Sequence, residues 1–79
     1  KLKMRELLKE VIELDRQLHD ASLTKPDLQS INKRTDEIFV HVRAMKVPIG
    51  AESDYLALLD FLEIFRNSLQ RQEDRLEKL

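Results

Sequence analysis

Hydrophobic positions recur at alternating intervals of three and four in three stretches of the chain, the period of an amphipathic helix. The longest stretch runs from Ala51 to Leu79, where Tyr55, Leu58, Leu62, Phe65, Leu69, Leu76 and Leu79 form a seam whose one gap is filled by Gln72. No Gly or Pro interrupts it, so the pattern predicts a single helix of about 29 residues, roughly 43 Å long. From Leu2 to about Asp20, Met4, Leu7, Val11, Leu14 and Leu18 mark a first helix, with Leu8 and Ile12 widening its seam on one flank. Between the two, Leu28, Ile31, Thr35, Ile38, Val42 and Met45 mark a second helix from about Pro26 to Lys46, with Phe39 beside the seam.

The breaks between stretches carry recognisable turn chemistry. Thr24 is placed to cap the second helix, Pro26 suits its first turn because it lacks an amide hydrogen, and Asp27 sets negative charge at its N-terminus. Leu23 and Leu28 stand where a hydrophobic staple would join them. Val47-Pro48-Ile49-Gly50 ends the second helix, because Pro48 restricts the residue before it and Gly50 permits a positive φ. Two short connections make sequential helices antiparallel neighbours. The expected fold is therefore all-α, an antiparallel up-down-up three-helix bundle with a long C-terminal helix. It forms a single domain with helices at about 2–20, 26–46 and 51–78.

Composition narrows what such a bundle can do. The chain has 79 residues, no cysteine, and 14 Lys and Arg against 15 Asp and Glu. Without cysteine there is neither a disulfide nor thiolate chemistry, and an intracellular, cytoplasmic setting is the expectation. Near-neutrality gives no global field toward nucleic acid or anionic lipid. No apolar run approaches the roughly 20 residues that span a bilayer, so no membrane partner is expected. The chain opens with Lys1 inside a helical pattern, which suggests a domain taken from a longer protein.

Candidate chemistry is sparse. Asp15 with His19 and Glu37 with His41 each share a helix face, yet in an antiparallel hairpin the two histidines stand about 18 Å apart and read as separate exposed pairs. The single glycine, Gly50, leaves no phosphate-cradling loop, and Ser22, Ser30, Ser53 and Ser68 sit in no nucleophile motif. No catalytic residue, metal or cofactor is expected, and the chain is read as a non-enzyme. Lys25, Lys33, Arg34, Arg43 and Lys46 outnumber Asp27, Asp36 and Glu37 in the second stretch, but they scatter around the helix, so a nucleic-acid role ranks last.

Two features of the third stretch stand out. Ala57, Phe61, Ile64 and Ser68 form a second strip beside the main seam and widen the apolar arc to about twice the usual stripe of roughly 100°. A central helix that touches two others needs a wide face, but such a strip also suits a docking partner helix, with Ala57, Phe61, Ile64 and Ser68 as its contacts. The tail keeps Leu69, Gln72, Leu76 and Leu79 in register among dense charges, which fits either packing back on the first turn or a coiled coil between chains. The leading expectation is a protein-interaction module of adaptor, chaperone-like or regulatory kind that receives a helical segment of another protein. Homodimerisation or a structural coiled coil is the alternative.

Overall fold

The computed structural model describes residues 4–78. Among them are three helices and no strand: α1 (Met4–Leu18), α2 (Lys25–Ala44) and α3 (Glu52–Glu77). Each helix packs on both others, forming the expected three-helix bundle in a rod of 47 × 20 × 18 Å. Leu2, where the first helix was expected to start, and the seam residue Leu79 lie outside the described residues.

The helix ends follow from local hydrogen bonding. α1 stops at Leu18, two residues short of Asp20, because the Asp20 carboxylate accepts the Ser22 amide at 2.9 Å and the Ser22 hydroxyl at 2.8 Å and so holds a turn. α2 opens with a reciprocal capping box. The Asp27 amide donates to Thr24 Oγ1 at 3.4 Å, and the Thr24 amide donates to the Asp27 carboxylate at 3.1 Å. Asp27 thus does more than place charge at the helix end, since it satisfies one of the orphan amides. Leu28 is buried and Leu23 packs against the core, as a staple requires. α2 ends at Ala44, two residues before Lys46, with Met45 already extended. Gly50 then turns the chain at φ +92°, a region open to glycine. The Tyr55 hydroxyl donates to the Val42 carbonyl at 3.2 Å and ties the start of α3 to the end of α2.

The core is one continuous cluster along the three seams. Leu7, Val11, Leu14 and Leu18 of α1 meet Leu28, Ile31, Ile38, Phe39 and Val42 of α2 and Leu58, Leu62, Phe65, Leu69 and Leu76 of α3. Thr35 is fully buried among them, and its hydroxyl donates to the Ile31 carbonyl at 2.7 Å, so its polarity is satisfied within its own helix.

α3 has 26 residues, against 20 in α2 and 15 in α1, but its tail does not hang free. Leu69 and Leu76 are 2 % and 8 % exposed, and Leu76 borders a shallow depression shared with Lys25, Leu28 and Gln29 at the start of α2. Leu69 and Leu76, two of the three tail leucines considered for pairing chains, therefore face their own bundle. Gln72 fills the gap in this seam half-buried, with its side-chain oxygen sealed from solvent and unpartnered. A buried acceptor without a donor costs roughly 1–3 kcal/mol. Gln72→Leu is expected to stabilise the bundle by about 1 kcal/mol, raising Tm by about 4–8 °C in thermal melts followed by circular dichroism.

Candidate functional site

Two cross-helix ion pairs set the sidedness of the bundle. Arg34 of α2 donates through Nε and Nη2 to the Glu10 carboxylate of α1, the second bond at 2.7 Å, and also reaches Glu37 at 3.3 Å. Those bonds hold the Glu10 carboxyl below the usual glutamate range and raise the Arg34 guanidinium. On the other side of α2, Asp36 accepts from Arg66 of α3 at 2.7 Å. The Arg66 guanidinium also lies 4.5 Å from the Phe39 ring centre, and Arg43 covers the same ring at 5.4 Å.

The flank of α1 that carries Glu6, Glu10 and Glu13 therefore looks toward α2, and so does the flank of α3 that carries Arg66. Because every helix touches both others, the opposite flanks meet across the groove between α1 and α3. On that side of α1, Met4, Leu8 and Asp15 lie next to the seam, Ile12 turns further outward, and Arg5 and Arg16 stand close to the back of the helix. α3 presents Ala57, Phe61, Ile64, Ser68, Arg71 and Arg75, spaced by three and four. Arg34 and Asp36 lie one turn or less apart on α2, so Glu10 and Arg66 share a level along the rod. Leu8 and Ile12 accordingly stand beside the Ile64 to Arg71 segment of α3.

Exposure separates the strip residues that the sequence treats alike. Ile64 is 60 % exposed and Ala57 is exposed, whereas Phe61 is half-buried and packs against the core. Phe61 is thus a floor residue, and a charge placed there would disturb the interior as well as the surface. Ser68 is half-buried, and its hydroxyl accepts from Arg71 Nη2 at 3.1 Å, which lays the Arg71 side chain along the face. Leu8 and Ile12, which periodicity alone assigns to a widened seam, are 38 % and 52 % exposed. With Ile64 they are exposed apolar residues on the two helices that border the α1–α3 groove. The remaining large exposed hydrophobics, Val40, Ile49 and Leu56, lie on or beside α2 and the outer side of α3.

Charge is unevenly distributed around the rod. The α1–α2 side carries Glu6, Glu10, Asp27 and Glu37 around Arg34, and the α1–α3 side carries Arg71 and Arg75 with Asp15 and Asp54. Arg16 is held by Glu13 through a bond of 2.9 Å from Nε, whereas Arg5, Arg71 and Arg75 form no salt bridge among the described residues.

The histidines stay apart from any shared site. His19 contacts the Asp15 carbonyl through Nδ1 at 2.8 Å, and His41 is exposed on α2. Among the described residues no group of three or more His, Cys, Asp or Glu is placed to hold a metal ion, and no helix is long and apolar enough to cross a membrane.

No protein-family model, curated protein or solved structure matches the chain.

The Glu10 pair sets a pH dependence. A carboxyl whose folded pKa lies below its ordinary value of 4.5 adds stability above that pH and loses it as the pH falls through the folded value. Glu10→Gln is expected to cost about 0.5–1 kcal/mol at pH 7, since the pair is partly solvated, and to differ little from wild type at pH 3. Urea melts at the two pH values measure both terms.

Proposed function

We propose that this domain is a non-catalytic protein-interaction module that receives a helical segment of another protein in the groove between α1 and α3. The observation that carries the reading is the joint exposure of Leu8, Ile12 and Ile64 beside the half-buried Phe61, which leaves apolar side chains exposed on a bundle whose core is otherwise closed. Helix-in-groove recognition needs two parallel ridges with an apolar floor, and anchors at helical spacing on the incoming segment. Here α1 and α3 form the ridges, Phe61 the floor, and Ile64 and Ile12 the central contacts. An intracellular, cytoplasmic setting accompanies this reading of a cysteine-free chain.

The alternatives find less support. Pairing of chains through the tail would need Leu69 and Leu76, both inside the bundle. Nucleic-acid binding through α2 would draw on Arg34 and Arg43, which are engaged by Glu10 and by the Phe39 ring.

The test uses a neutral amphipathic peptide about five turns long, with leucines at i, i+3, i+4 and i+7 and glutamines elsewhere. Titrated into the isotope-labelled chain, it is expected to move the NMR signals of Leu8, Ile12, Phe61 and Ile64 together. Ile64→Asp is expected to leave the melting curve within about 0.5 kcal/mol of wild type, because the side chain is mostly exposed. The same variant should weaken the peptide by about tenfold or more. Shifts scattered over the whole surface, or an Ile64→Asp variant that binds as wild type does, would refute the reading.

A further inference from the structure

We draw no further inference here: the strongest candidate, the cavity at the α1–α2 turn where Asp20 and Asp27 stand over Leu14 and Ile31, is an acidic cluster whose carboxylates already accept hydrogen bonds from Ser22 and Thr24, with no second feature among the described residues that points to a ligand.

Discussion

The bundle depends on one seam. Leu58, Leu62, Phe65, Leu69 and Leu76 on α3 are each buried, and between them they reach the interior residues of both α1 and α2. With no disulfide and only 79 residues, a domain of this size has little apolar area to spare, so the full length of the seam is needed to offset chain entropy. That requirement explains why the tail packs down onto the start of α2. It also explains why the polar side chain at Gln72 is tolerated only half-buried, between Leu69 and Leu76.

Sidedness arises from a different kind of contact. Hydrophobic seams do not distinguish one flank of a helix from the other, but the Glu10 to Arg34 and Asp36 to Arg66 pairs do. By joining α1 and α3 each to α2 on its polar flank, they leave the flanks with Leu8, Ile12 and Ile64 opposite one another. Glu6 and Glu10 go to the α2 side of α1 and Arg66 to the α2 side of α3, while Arg71 and Arg75 lie on the opposite flank of α3. Packing and charge thus act together: the seam closes the core, and the ion pairs lie along the two flanks that meet α2.

Much of this was legible in the sequence, and the limits are specific. Three helices, the Thr24 cap, the Gly50 turn and nearly every core position follow from period and from turn chemistry, because those depend on residues close in the chain. The helix ends erred by two residues at Asp20 and Lys46, where an aspartate turn and the approach to Pro48 stop the helix early. The strip Ala57, Phe61, Ile64 and Ser68 was visible, but the depth of Phe61 was not, since its burial depends on how closely α1 approaches. Leu8 and Ile12 were missed as surface residues because their flank is defined only once α3 lies beside it. The segregation of Glu6, Glu10 and Glu13 from Arg5 and Arg16 around α1 was the sequence signal that could have found them.

Docking of another protein on the α1–α3 face requires that face to stay open on a folded single chain. Light scattering of the chain, followed across a wide range of concentration, addresses it most directly. A mass that remains that of one 9.4 kDa chain at every concentration is the expected result, with the groove free for a different partner. A mass that doubles at micromolar concentration and returns to one chain on Ile64→Asp would contradict it, because the face would then be occupied by a second copy.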